Sequence, residues 1–320
     1  MRKGQNPAKF VNGVAKPERI TVAVLNYIPF LSGFYAQTLD VLKTCLGSIW
    51  DNTDLPYDLL VFDNGSCKEA QDFLLEAQRE GDIQYLILSE KNLGKGGAWN
   101  AILAAAPGEI VAYTDNDAYF YPGWLSRSLQ ILETYPNTGM VTSRPFRTKP
   151  ELFSRTVEWA RKTPGVILEE GQFIAWEVFK VFEMSLGTSE EEARQRYEIT
   201  HDVRLTYQEL PAHVGASHWQ FLAYKSVLAQ FLPFSMDRPM GQVKQLDQRM
   251  NEAGYLRLMP CEPLAQNMSN RLEWIHKPEE AGTTPRVKEQ PLKKKLLNLA
   301  PVKRVLLGVH DRIFRWYYEN

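Results

Sequence analysis

Residues 110–117 read Ile-Val-Ala-Tyr-Thr-Asp115-Asn116-Asp117, a short apolar run that passes directly into two carboxylates one residue apart. The β-branched and aromatic composition predicts a buried strand. At strand spacing, residues i and i+2 point the same way, so both carboxylates are expected to face one target. Two convergent carboxylates repel each other unless a cation lies between them. Hard oxygen ligands of this kind suit Mg²⁺ or Mn²⁺, with phosphate oxygens completing the shell. An acidic pair at a strand end is also a common solvated turn, so the segments upstream decide between the two readings.

Those segments repeat one pattern. Residues 19–26 (RITVAVLN) form a β-branched run, and residues 34–50 carry Leu39, Leu42, Leu46 and Ile49 at helical spacing. Residues 58–62 (DLLVF) predict a second strand that stops at the turn signal Asp63-Asn64-Gly65-Ser66. A helix over 70–79, a strand over 83–88, a glycine-rich loop over 92–97 and a helix over 98–106 lead to the strand quoted above. Strands alternating with helices at this pitch predict right-handed βαβ units and a mostly parallel sheet flanked by helices. Ligands of such sheets bind at the carboxyl edge. Asn26, Asp63, Gly94, Lys95, Asp115 and Asp117 all fall at that edge. The loop 91–97 (KNLGKGG) has glycine spacing foreign to both the P-loop and the dinucleotide fingerprint. It can still bring backbone N–H groups and Lys95 near phosphates at a helix start.

Composition permits one large core with a small appendage: 320 residues, 44% hydrophobic and 23% charged. Three scattered cysteines (Cys45, Cys67, Cys261) argue against a disulfide framework and fit a reducing, cytoplasmic setting. The first residues lack the apolar core of a signal peptide, and no run approaches the length of a spanning helix. The net charge of −1 conceals an asymmetry. Residues 286–320 hold nine Lys/Arg against three Asp/Glu, which leaves 28 basic and 35 acidic residues before them. The expected organisation is a disordered lead-in (1–18), a first half (19–130), a second half of the same domain (131–285), and a basic amphipathic helical tail (286–320). That tail predicts peripheral contact with the inner face of a membrane, or with a partner subunit. No motif supports nucleic-acid binding.

The ordered set RITVAVLNY, LLVFDNGS, KNLGKGGAWNAIL, IVAYTDND and YPGWL (the last at residues 121–125) resembles the nucleotide-sugar domain of family 2 glycosyltransferases. The resemblance covers roughly residues 19–130 and implies the GT-A fold. It implies an inverting transfer from a UDP-, GDP- or dTDP-sugar to a glycan, lipid-linked or protein-linked hydroxyl. By the same resemblance Asn26 and Asp63 contact the base, and Gly94 and Lys95 line the nucleotide. Asp115 lies near ribose and metal, and Asp117 binds the metal.

The second half resembles the family more distantly. Residues 213–228 look like the strand and helix that close over the donor sugar. Residues 241–258 look like the helix that follows the family's catalytic Glu-Asp pair, yet Gln242 and Val243 stand at those positions. Valine cannot accept a proton, so the base must come from elsewhere. The candidates are Asp247, read as the start of a helix over 247–253, then Asp237 in a Pro-flanked loop, and His218. Asp247 is preferred. The family's late metal-binding histidine is also missing, and the nearest match is Asn267, whose carbonyl suits Mg²⁺ better than Mn²⁺. These departures raise a rival reading: a degenerate glycosyltransferase-like domain that binds and does not turn over. A sugar nucleotidyltransferase would need a basic glycine-rich loop after the first strand, which Asn26-Tyr27-Ile28-Pro29 is not.

Overall fold

The quoted run becomes the fourth strand of a parallel set. In the structure, a computed structural model that describes residues 4–11, 13–238 and 243–275, that set is built from β1 (Ile20–Asn26), α1 (Thr38–Asn52), β2 (Asp58–Asn64), α2 (Lys68–Glu80), β3 (Tyr85–Ser89), α3 (Gly94–Ala105) and β4 (Ile110–Asp115). All seven residues of β1 are buried. A central parallel strand is covered on both faces and so reads as a continuous apolar run. On α1, Val41, Leu42, Cys45, Leu46 and Ile49 are buried at three- and four-residue spacing, so one stripe of the helix faces the sheet. Gly81, with φ of +92°, ends α2 in the left-handed cap that glycine adopts without steric cost.

The rest of the chain comprises β5 (Ala118–Phe120), α4 (Trp124–Thr134), β6 (Thr138–Val141), α5 (Ser154–Lys162), β7 (Ile167–Gly171), α6 (Trp176–Ser185), α7 (Glu190–Ile199), β8 (Asp202–Tyr207), β9 (Leu210–Val214), β10 (Gln220–Tyr224), α8 (Lys225–Leu228), α9 (Val243–Glu252), β11 (Leu256–Met259) and β12 (Ala265–Asn267). The main sheet has the order β3-β2-β1-β4-β10-β6-β11-β9-β8-β7, and β12 pairs with β5 in a separate ribbon. From β3 to β4 every pairing is parallel, as expected. β10 then enters antiparallel between β4 and β6, and β9, β8 and β7 continue as an antiparallel meander. Seven of the ten strands thus run in one direction, so the sheet is mostly parallel with a mixed second half.

Three local readings change. The glycine-rich segment is not a loop through Gly97: α3 begins at Gly94. A side chain on Gly96 would meet the carbonyl of Ser235 at 2.6 Å, so the helix start doubles as a packing surface for residues 234–236. α9 begins at Val243, which moves Asp247 from the helix start into its second turn. The stretch 166–188, for which the sequence predicts no element, contains β7 and α6.

Two cores lie on opposite faces of the sheet's central strands. One joins α1 and α2 to the sheet through residues such as Leu42, Leu46, Val61 and Leu74. The other surrounds Trp99 of α3, whose ring makes edge contacts with Tyr113, Phe221 and Phe234 at 5.1–5.8 Å. Aromatic pairs in this geometry contribute about 0.5–1.5 kcal/mol beyond their buried area. Because Tyr113 lies two residues before Asp115, this cluster also fixes the end of β4.

Candidate active site

The carboxyl ends of β1, β2 and β4 lie side by side, with Asn26 in register with Asp63 and Leu25 with Asp115. Asn26 is fully buried and acts as the hub. Its Nδ2 donates to Asp63 Oδ1 at 2.7 Å and to Ser66 Oγ at 3.0 Å, and its Oδ1 accepts from Asn116 Nδ2 at 2.6 Å. Asp63 Oδ2 accepts from the backbone N–H of Ser66 and from Gln71 Nε2, each at 3.1 Å. Asn64 ties this edge to the next loop, accepting from the N–H of Leu93 at 2.8 Å and donating to Asn92 Oδ1 at 2.9 Å. The turn after β2 is therefore a connected polar floor.

The two aspartates of the opening motif are not equivalent. β4 ends at Asp115, and Asn116-Asp117 form a turn into β5, so strand alternation does not set the direction of Asp117. The chain bends there because β5 leaves the main sheet to pair with β12. Asp115 has both oxygens engaged: Oδ2 accepts from Lys95 Nζ at 2.6 Å and Oδ1 from Tyr113 OH at 2.5 Å. Lys95 is almost entirely buried over the Trp99 and Tyr113 rings, so it neutralises Asp115 from within α3 and does not stand free at the helix start. The N–H of Gly94 is already capped by Asn92 Oδ1 at 2.8 Å.

Asp117 is the uncompensated member. Its Oδ1 is shielded from solvent and has no hydrogen-bond partner, while Oδ2 receives only a 3.4 Å contact from Asn267 Nδ2. Burial, and then the neighbouring charge of Asp115, push its carboxyl up to about 7. Asn267 Oδ1 accepts from the N–H of Ser269 at 3.0 Å, so this side chain supports the carboxylate with its amide and keeps one lone pair of its carbonyl. The N–H of Met268 donates to the carbonyl of Asp117 at 2.7 Å, which fixes the β12 end against the motif. Among the described residues no group of three or more His, Cys, Asp or Glu gathers to hold an ion. The set present fits a hard cation that takes Asp117, with Asp115 beside it, and completes its shell from phosphate and water.

The proposed bases separate. His218 and Asp247 meet, with Nδ1 at 2.6 Å from Asp247 Oδ2. Asp237 is exposed, accepts from Ser235 Oγ, and is not among the described residues that line the cavity around that pair. Sequence reasoning missed the third member: Arg257, fully buried on β11, donates from Nη2 to Asp247 Oδ1 at 2.5 Å. An arginine inside the apolar strand LRLM was the available signal, since a buried charge needs a partner. Gln242 lies outside the described residues, as does the basic tail 286–320.

The glycosyl transferase family 2 model matches residues 34–201, just over half of the sequence. The chain belongs to this family. The GT-A fold of family 2 accords with the sheet described above, whose first four strands hold the candidate donor edge. Among individual relatives, an uncharacterised glycosyltransferase of Nostoc sp. is 28% identical over 123 residues, 38% of this chain and 35% of that protein. An uncharacterised glycosyltransferase of Methanocaldococcus jannaschii is 28% identical over 100 residues, 31% of this chain and 34% of that protein. The matches thus span about a third of these relatives' own length. Among solved structures, a mannosyltransferase of Pyrobaculum calidifontis in complex with GDP-Man and Mn²⁺ is similar over 77% of this chain and 55% of its own. Its identity is 19% and its TM-score 0.46.

Proposed function

We propose that this protein transfers a sugar from a nucleotide-sugar donor to a hydroxyl acceptor, with inversion and with Mg²⁺ or Mn²⁺ at the Asp115/Asp117 edge. Family membership supports the reaction class, and the shielded, unpartnered Oδ1 of Asp117 is the observation that carries the metal-diphosphate reading. When bound, the ion would offset the charge gathering on the departing nucleoside diphosphate. The polar floor of Asn26, Asp63 and Ser66 suits the donor's base, and Lys95 would hold Asp115 in place near the ribose. The pocket would hold donor and acceptor in line, a large source of rate for reactions of this type. The acceptor class is a glycan, lipid-linked or protein-linked hydroxyl, and the setting a reducing cytoplasm, with the tail available for membrane or subunit contact.

The test is turnover across UDP-, GDP- and dTDP-sugars with Mn²⁺ or Mg²⁺, against a panel of hydroxyl acceptors. Activity with one donor is expected, reduced about 10³-fold by Asp117→Ala, as for loss of several kcal/mol of charge stabilisation. The second reading, a binding domain without turnover, is motivated by Val243 where the family places its base. Metal-dependent donor binding with no product on any acceptor would select it.

A further inference from the structure

We infer that His218 is the group that removes the acceptor's proton, and that Asp247, held by Arg257, is its positioning residue. This deepens the proposed transferase reading and rests on it.

The assignment follows from proton bookkeeping. Both oxygens of Asp247 are engaged, Oδ1 by Arg257 Nη2 and Oδ2 by His218, and the residue is only 4% exposed. Of the pair, His218 is the more accessible to an acceptor, its side chain 18% exposed against 6% for Asp247. Arg257 is locked in turn by the carbonyls of Ala216 and Leu152, which leaves its charge facing Asp247. With the Arg257 guanidinium donating to Oδ1, we take Oδ2 as the acceptor in the 2.6 Å contact and Nδ1–H as its donor. A neutral imidazole carries one N–H, so Nε2 keeps its lone pair, and among the described residues no side chain or backbone group takes it.

Position agrees with this role. Ser217 and Gln220 are bridged, so His218 sits in the tight turn that opens β10. The next residue, Trp219, accepts through its carbonyl from the N–H of Asp115 at 3.0 Å. The turn is thereby fastened to the end of β4, where the donor's diphosphate is assigned. His218 also lines a cavity of about 620 Å³ with Ser217, Asp247 and the segment Arg147–Lys149, a volume in the range of sugar-sized ligands. An acceptor hydroxyl in this cavity would give its proton to Nε2 while its oxygen bonds to the anomeric carbon. The bond from that carbon to the diphosphate oxygen breaks, and its electron pair leaves with the nucleoside diphosphate. The proton ends on the imidazole, beside the Asp247 carboxylate.

The experiment uses the full chain and the donor and acceptor found active above. His218→Gln is expected to lower kcat by about 10²–10⁴-fold, the contribution of a general base, with donor KM and nucleoside diphosphate affinity unchanged. Asp247→Asn should do the same, because an amide can donate to Nδ1 and move the ring proton to Nε2. Imidazole added to His218→Gly should restore part of kcat, which no structural role predicts. A His218→Gln enzyme with the wild-type kcat, or a His218→Gly enzyme that imidazole leaves unchanged, would overturn the inference while wild-type turnover keeps the parent reading. A wild-type chain that neither binds nor consumes any nucleotide sugar removes both.

Discussion

The two halves of the sheet assemble polar sites by different means. In the parallel half, the functional side chains sit at the ends of consecutive strands, and apart from the Lys95–Asp115 pair neutral amides connect them: Asn26 to Asp63, Asn64 to Asn92, Asn116 to Asn26. In the mixed half, the polar groups are buried charges brought from distant segments. Arg257 of β11 holds Asp247 of α9, and Arg147 holds Asp202 of β8 with side chains 7% and 1% exposed. Asp202 accepts from the N–H groups of Phe173 and Ile174 as well, and Arg147 lies between the Phe179 and Tyr197 rings. A parallel sheet delivers its ligand-binding groups by topology, whereas an antiparallel extension has no such common edge and needs specific ion pairs to fix its turns.

The largest test of this contrast removes one partner of a buried pair. Asp247→Ala leaves Arg257 charged and enclosed, and should destabilise the fold by about 3–5 kcal/mol in denaturant unfolding. Asn26→Ala, at the hub of the amide network, should cost about 1–3 kcal/mol through unsatisfied buried groups. An equal or larger loss for Asn26→Ala would erase the distinction between the halves.

A subtler effect comes from Asp117. Its carboxyl is raised to about 7 in the folded protein, so between pH 4 and 7 the folded state binds more protons than the unfolded state. Its contribution to stability is present below the unfolded value and lost as pH rises through about 7, with a slope of at most about 1.4 kcal/mol per pH unit. Asp117→Asn should flatten that slope. A divalent cation favours the ionised form, so the rise in Tm on adding Mn²⁺ should be greater at pH 8 than at pH 5.5. The smallest effect is expected at Asn267, which touches Asp117 only through a 3.4 Å contact. Asn267→Ala should weaken metal-dependent stabilisation by about tenfold in apparent affinity, as for a residue supporting a ligand.

The same contrast explains what could be read from the sequence. The first four strands are legible because each is an apolar run ending in Asn26, Asp63-Asn64, Ser89 or Asp115, and neighbouring segments pair with one another. The donor edge is legible with them. The strands β7 and β8 bury few of their residues, and α6 follows only four residues after β7, so no clear period marks them. The pairing of Lys95 with Asp115 escaped notice because a lysine in a glycine-rich stretch suggests a free phosphate contact. The inward face of Asp247 depends on α9 starting at Val243, a boundary that composition alone places four residues late.

The central claim is that Asp117 holds a cation that in turn holds the donor's diphosphate. Calorimetric titration of UDP, GDP and dTDP into the full chain, with and without Mn²⁺, tests it most directly. One nucleotide should bind tightly only with Mn²⁺, and Asp117→Asn should abolish that gain while leaving the fold at least as stable at pH 8. Binding that is independent of Mn²⁺, or undiminished in Asp117→Asn, would contradict it.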